Sequence, residues 1–393
     1  MKKILYLAFI SAIALAASCA KQDTVYKDFV KEGGYIYPAK PINTSAEQGY
    51  QRIFLKWEAP MDPSLRTAKV FWDNRTKSLE FNYSDYPDGK LEVVIDNLED
   101  RSYTFNIVNY DAEGNASLST EITTAPFGES WLVSHADRSV TSAKMDGDNA
   151  RIVMTKSTDE MVATKFRYQK KDGTIVELGS MLPDENEFIL EDAMKGKIFE
   201  YKSAYLPANG KDVVWATSWT KSPDPILFQL DVSNWKVKAT NGQEFSSYTA
   251  DKIFDGIISS SNRWHSSRTS STAKIFPKIL AIDTQSEAGN EVSIASLVLY
   301  QSSADATYRY IRDLTIYIGD KPYDPNDSNY EENFGEPVFS KTMTRSESEQ
   351  TINIKPSKVG RYMALVFTNS YNTNGYIDLW ELVPYGYIAS EAE

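Results

Sequence analysis

Residues Thr249 to Thr284 read TADKIFDGIISSSNRWHSSRTSSTAKIFPKILAIDT, and the reading of this stretch decides the fold of the last third of the chain. Asp255 and Gly256 make a turn pair, since Asp bonds its own backbone in turns and Gly accepts positive φ at no steric cost. A Ser-rich loop follows, holding Trp264 and His265. Pro277 then leads into Lys278–Asp283, a short apolar run that ends on a carboxylate and reads as a buried strand.

Outward from this stretch the texture stays the same. The chain has 393 residues, too many for one ordinary core, so roughly two to four domains are expected. Aromatic residues make up 12% of it and sit among Val, Ile and Thr in short runs separated by Gly, Pro, Asn and Asp, the pattern of all-β domains. The formal charge of -12 and the lack of a basic run exclude a non-specific grip on nucleic acid, which needs cations to displace phosphate counterions. Cys19 is the single cysteine, so no intrachain disulfide and no thiolate cluster can form. The two histidines, His135 and His265, are far apart in sequence and leave little for a zinc site or a histidine triad.

At the amino terminus Lys2 and Lys3 precede an apolar run, Ile4 to Ala17, that shortens into small residues. A spanning helix needs about 20 apolar residues, so residues 1–18 read as an export signal. Leu15, Ala16, Ala17, Ser18 and Cys19 resemble the box of a bacterial lipoprotein, and that resemblance implies cleavage before Cys19 and lipidation of its thiol. The alternative is an exported protein with a spare thiol. Acyl chains supply roughly 0.8 kcal/mol per buried methylene, enough in pairs to hold a chain on a membrane. Residues 19–37 follow as a lipidated tether, and the polar character continues to Gly49.

Two stalk domains are expected, at 38–128 and 129–224. In the first, Arg52 to Trp57 alternates, with Ile53, Leu55 and Trp57 on one side, and Ala68–Asp73, Leu79–Tyr83, Leu91–Ile95, Tyr103–Tyr110 and Leu118–Thr123 read as further strands. Trp57 with Ala59-Pro60 behind it, and Leu98 ahead of Tyr103, resemble the fibronectin type III sandwich, which implies that Trp57 fills a core and that the Tyr103 hydroxyl pins a corner. The rhythm recurs in Ala150–Met154, Lys165–Lys170, Ile175–Leu178 and Lys197–Tyr205. Tyr35–Pro38, Trp57, Tyr103–Asn115 and Phe127–Trp131 together resemble a domain of Bacteroidota surface lipoproteins from polysaccharide-utilisation systems. Ser222-Pro223-Asp224-Pro225 reads as the hinge to the last domain.

The order Asp255-Gly256, Ser-rich loop, Trp264, Pro277 and Lys278–Asp283, with a closing Asn-Gly loop, Glu381 and Tyr385-Gly386, resembles the discoidin or coagulation factor 5/8 type C domain and its relatives in family 32 of the carbohydrate-binding modules. The resemblance implies a galactose-binding-like β-sandwich jelly roll over 225–393 with a ligand on the loops at one end. The fold class expected for the whole chain is therefore all-β: tandem fibronectin type III-like sandwiches followed by a discoidin-like jelly roll.

On the loops that match the family's sugar site the chain offers His265, Arg268, Tyr308, Arg309, Tyr371, Asn372, Asn374 and Tyr376, while Trp264 is assigned to the core. Sugar sites pair planar hydrogen-bonding groups with an aromatic face, and these residue types supply both. His265 reads equally as a structural histidine. The resemblance also implies a structural calcium ion with oxygen donors from Asp255, Ser260 and Glu381, backbone carbonyls completing the about six to eight ligands calcium takes. Relatives often carry a second acidic residue after the glycine, where this chain has Ile257 and Ile258. The plainer reading of Asp255 is a turn cap. Asp320–Gly335, acidic and rich in Pro and Asn, reads as a strand connection.

These readings converge on a non-catalytic, lipid-anchored glycan-binding protein at the surface of a bacterial outer membrane, supporting polysaccharide capture beside outer-membrane transport partners. The alternatives are a structural or protein-interaction subunit of an uptake complex and, from a different class, a glycoside hydrolase. Against the last, no domain resembles a catalytic barrel, propeller or toroid.

Overall fold

The computed structural model describes residues 37–301, 310–327, 329, 332, 335–345 and 348–392. Among them the chain is built of antiparallel strands and falls into two units, one reaching to His135 and including Leu206–Val214, the other made of Ala136–Tyr205 and Trp215 onward. Cys19 and the export signal lie outside the described residues. No described helix is long and apolar enough to cross a membrane.

In the first unit, Ile42–Gly49, Arg52–Glu58 and Lys90–Ile95 form one sheet, and Lys77–Asn82, Leu65–Trp72, Tyr103–Asp111 and Thr120–Thr124 form the other. The alternation seen in sequence is the burial alternation of these strands: Ile53, Leu55, Trp57, Phe105 and Ile107 all face one core. Trp57 is 1% exposed and Tyr103 4%, so both are packing residues. The Tyr103 hydroxyl accepts a hydrogen bond from the Glu99 backbone N–H at 3.0 Å, which fastens the corner ahead of its strand. Ile42–Gly49, expected from its polarity to continue the tether, is instead an edge strand paired antiparallel with Arg52–Glu58, the register shifting between Ile42 and Ser45. An edge strand with one open face needs little apolar surface, which is why alternation did not reveal it. Leu206–Val214 docks on this edge, where Asp212 accepts from Arg52 Nη2 and Nε (2.6 and 2.8 Å) and from the Tyr50 N–H (2.9 Å).

The second unit holds two cores. The smaller lies between a sheet of Glu187–Leu190, Asn149–Met154 and Val140–Asp146 and a sheet that includes Ile175–Met181, Met161–Gln169 and Glu200–Tyr205, with Phe166, Phe199 and Leu190 at its centre. The larger core belongs to the carboxy-terminal sandwich. One of its sheets runs Phe228–Gln229, Glu381–Ile388, Val292–Tyr300, Glu349–Val359; the other runs Lys236–Ala239, Lys278–Asp283, Tyr362–Ser370, Ile311–Gly319, Phe339–Thr342. Val292–Tyr300 is buried along nearly its whole length, as a central strand covered on both faces must be. Trp235, Trp264, Leu297, Ile316 and Phe367 fill the space between the sheets. A short ladder, Trp264–His265 on Asp378–Leu379, sits apart from both sheets and carries the loops of interest.

Candidate functional site

The short ladder sorts its residues by face. Trp264 stands opposite Leu379 and His265 opposite Asp378, and in an antiparallel pair directly opposed residues share a face. Trp264 and Leu379 therefore enter the core, where the indole N–H donates to the Gln243 carbonyl at 2.9 Å. His265 and Asp378 take the other face, each 0% exposed.

Three half-buried rings close over His265: Phe245 at 5.8 Å, Tyr376 at 5.9 Å and Tyr248 at 6.2 Å between ring centroids. The turn carrying Phe245 and Tyr248 is sewn to His265 by backbone bonds, Phe245 N–H to His265 O at 3.1 Å and His265 N–H to Tyr248 O at 3.2 Å. The two turn rings lie nearly parallel, 9° apart. Together they form an aromatic cup over the buried histidine.

Charge is arranged beneath and beside the cup. Asp378 Oδ2 lies 2.9 Å from Arg263 Nε and its Oδ1 3.3 Å from His265 Nε2, so the buried carboxylate is matched by a buried guanidinium. His265 Nδ1 is 2.5 Å from the Ser266 carbonyl, which can only accept, so this nitrogen carries the proton. Nε2 is then the acceptor for the Nε–H of Arg268 at 2.9 Å. Arg268 also lies over Phe245 at 4.6 Å, and Arg263 over Tyr248 at 4.5 Å. The histidine thus holds the arginine by one nitrogen and leaves the two terminal nitrogens of Arg268 without a protein acceptor among the described residues. A fixed guanidinium fork beside apolar rings is suited to hydroxyl or carboxylate recognition on a ring-shaped ligand.

A second layer fixes the loops. Lys278, wholly buried, donates from Nζ to Gln243 Oε1 (2.9 Å), Ala273 O (2.9 Å) and Ile275 O (3.2 Å), tying the turn of Phe245 to that of Thr269–Ile275. Burial pushes this ammonium down to about 8. The loop 371–376 lies on the same turn. Gly375 has φ +76°, and a Cβ there would stand 2.5 Å from the Ala273 carbonyl oxygen, so only glycine fits.

The residues expected from sequence divide accordingly. His265, Arg268 and Tyr376 come together in the cup. His265 is wholly buried, so its part there is to orient Arg268. Asn372 is buried, and its Oδ1 accepts from the Asn374 and Tyr376 N–H groups (2.8 and 3.4 Å), which makes it the scaffold of the loop. Asn374 is exposed at the loop's tip. Tyr371 turns elsewhere, its hydroxyl donating to Met343 O at 3.0 Å with Arg312 and Arg345 about its ring. Tyr308 and Arg309 lie outside the described residues. Phe245, Tyr248, Arg263 and Asp378 escaped the sequence reading. The only local signal was two aromatics three positions apart in a stretch without periodicity.

For calcium, Glu381 is 4% exposed and its Oε2 accepts from the Gly256 N–H at 3.2 Å. Burial, and after it the charge of Asp255, push its carboxyl up to about 7. Asp255 caps its turn through the Ile257 N–H at 3.0 Å and takes the Asn262 amide on both oxygens (2.7 and 2.5 Å). A buried carboxylate facing a second one is an electrostatic demand that a divalent cation meets, so this pair fits calcium in charge. Calcium at Asp255 would displace the Asn262 amide. Ser260 is exposed, and no cluster of three or more His, Cys, Asp or Glu exists among the described residues, so further ligands would have to be neutral oxygens.

A family described as a domain of unknown function, DUF4998, matches residues 19–211. No curated protein matches the chain. Among solved structures it is similar to the family 32 carbohydrate-binding module of NanJ from C. perfringens in complex with galactose (16% identity, 41% of this chain and 99% of that one, TM-score 0.32). It is similar to the C-terminal domain of a chitobiase from Bacteroides fragilis (19% identity, 41% and 99% covered, TM-score 0.32). A SusE-like protein is similar over 64% of this chain and 97% of its own, at 13% identity and TM-score 0.35.

Proposed function

We propose that this is a non-catalytic glycan-binding protein whose carboxy-terminal sandwich, of discoidin-like type, holds a sugar in the cup of Phe245, Tyr248, Tyr376 and Arg268. The observation that carries the reading is the pre-set Arg268: a guanidinium held by the neutral Nε2 of a buried histidine, 4.6 Å from an aromatic ring. The rings meet the apolar face of a pyranose, and the guanidinium fork meets its hydroxyls. The fork is fixed before the ligand arrives, so little ordering entropy is lost on binding.

The other assignments belong to the same proposal. Cys19 carries the lipid anchor, the fibronectin type III-like sandwiches are the stalk, and the chain is displayed on a bacterial outer membrane beside transport partners. Calcium, held by Asp255 and Glu381, braces the loops. Glycoside hydrolysis needs two carboxylates flanking the scissile bond. Asp378, the carboxylate beneath the cup, is wholly buried against Arg263, which favours binding without cleavage.

Affinity electrophoresis of the intact mature chain through gels containing plant, algal and host polysaccharides tests the reading. Retention on at least one glycan is expected, with Arg268→Ala and Tyr376→Ala each weakening it about tenfold or more. Retention indifferent to both substitutions, or none on any glycan, would overturn it. Capture of a membrane protein in the absence of sugar would instead favour the interaction-subunit alternative.

A further inference from the structure

The carboxy-terminal sandwich has a concavity that the cup does not use. A cavity of about 280 Å³ opens on the outer face of the sheet that contains Lys278–Asp283, lined among others by Lys236, Lys238, Asp283, Gln285, Tyr323 and Tyr362. Its position follows from the register. Lys236 stands opposite Asp283, at the far end of the strand from Lys278, roughly 17 Å along the strand from the knot beneath the cup. Strand alternation turns Val237 and Ala239 into the core and leaves Lys236 and Lys238 exposed on the outer face. The other wall is the connection after Gly319, whose Tyr323 packs over the buried Ile279, Tyr317, Ala364 and Val366.

The chemistry of the lining is specific. Two half-buried tyrosines, Tyr323 and Tyr362, offer ring surface. Asp283 does not make the site anionic, because Arg361 holds it through both oxygens at 2.8 and 3.1 Å. Gln285 spends its amide N–H on Asp283 Oδ2 at 2.6 Å, which leaves its carbonyl oxygen to accept from a ligand hydroxyl. Neither Lys236 nor Lys238 forms an ion pair among the described residues; Asp324 stands close enough to Lys238 to feel its charge. The charged side chains in the lining are Lys236, Lys238 and Asp283, two cations against one carboxylate, in a chain whose formal charge is -12.

We propose that this groove is a second ligand site, independent of the cup, for a single sugar ring carrying an anionic substituent, a carboxylate or a phosphate. Its volume sits at the small end of the about 300–1,000 Å³ range of ligand sites, which suits one ring rather than a chain. The ring stacks on a tyrosine, the anion meets the two lysines, and Gln285 accepts from a hydroxyl.

The test uses the intact chain carrying Arg268→Ala, so that the cup is silent, titrated calorimetrically and by saturation-transfer NMR with glucuronate, glucose 6-phosphate and glucose. Binding of one or both anionic sugars is expected, with glucose about tenfold weaker or worse, and Lys236→Glu with Lys238→Glu lowering the anionic affinity by a similar factor at unchanged melting temperature. A response to glucuronate alone assigns the carboxylate, and one to glucose 6-phosphate alone assigns the phosphate. Binding of neither anionic sugar at tens of millimolar, equal binding of glucose, or affinity untouched by the charge reversals would overturn the site. None of these outcomes depends on whether the cup binds a glycan.

Discussion

Lys278 gives the sharpest quantitative test of how the loops are held. Replacing it with Met keeps the stem and removes the ammonium from a position with no exposure. Burial lowers this group from its ordinary value of 10.5 to about 8, a fall that corresponds to about 3 kcal/mol of differential free energy. The sign follows from proton counting. Between pH 8 and 10.5 the unfolded chain binds the proton and the native chain has released it, so native stability rises with pH across that window and the full burial penalty is present below it. At neutral pH the substitution removes that penalty but also three hydrogen bonds, to Gln243, Ala273 and Ile275, so its effect there mixes opposed terms. The informative quantity is the difference in unfolding free energy between parent and Lys278→Met, measured by urea denaturation at several pH values. It should move in the parent's favour by about 3 kcal/mol from pH 7.5 to 10.5, the tyrosines common to both chains cancelling. Parallel curves would refute the claim that a buried ammonium ties the two turns together.

Two further outcomes follow from the same loops. Gly375→Ala places a methyl 2.5 Å from the Ala273 carbonyl at φ +76°, so about 1–3 kcal/mol of strain is expected, read as a lower melting temperature together with loss of glycan retention as Tyr376 shifts. If calcium bridges Asp255 and Glu381, adding the ion at about a hundred times its dissociation constant to chelator-treated protein stabilises it by about 2.7 kcal/mol, and Glu381→Gln abolishes the gain; calorimetry showing no shift in the parent would remove the ion from the account.

Much of the scaffold was legible from the chain, for a local reason. Alternation of period two exposed the strands around Trp57, Phe105, Ile152 and Phe166, because a strand half-buried in a sandwich must repeat its apolar residues on one face. Trp57, Tyr103 and Trp264, which the family resemblances imply to be packing residues, are buried. The Asp255-Gly256 turn, with φ +75° at the glycine, followed from turn chemistry that acts within a few residues.

The sequence by itself therefore determined the all-β class and the turns that punctuate it, since both depend on interactions between near neighbours. Only the tertiary structure decided that Ile42–Gly49 pairs as an edge strand, that Leu206–Val214 docks against it, and that the turn with Phe245 and Tyr248 closes over His265. It also decided that His265 serves as a support for Arg268, because the ring is buried by pairing with Asp378, more than a hundred residues further along the chain, while the Ser266 carbonyl holds the Nδ1 proton and leaves Nε2 to accept from Arg268. Contacts of that separation leave no period in the sequence, so the arrangement of the cup emerges only when the ladder Trp264–His265 on Asp378–Leu379 is formed.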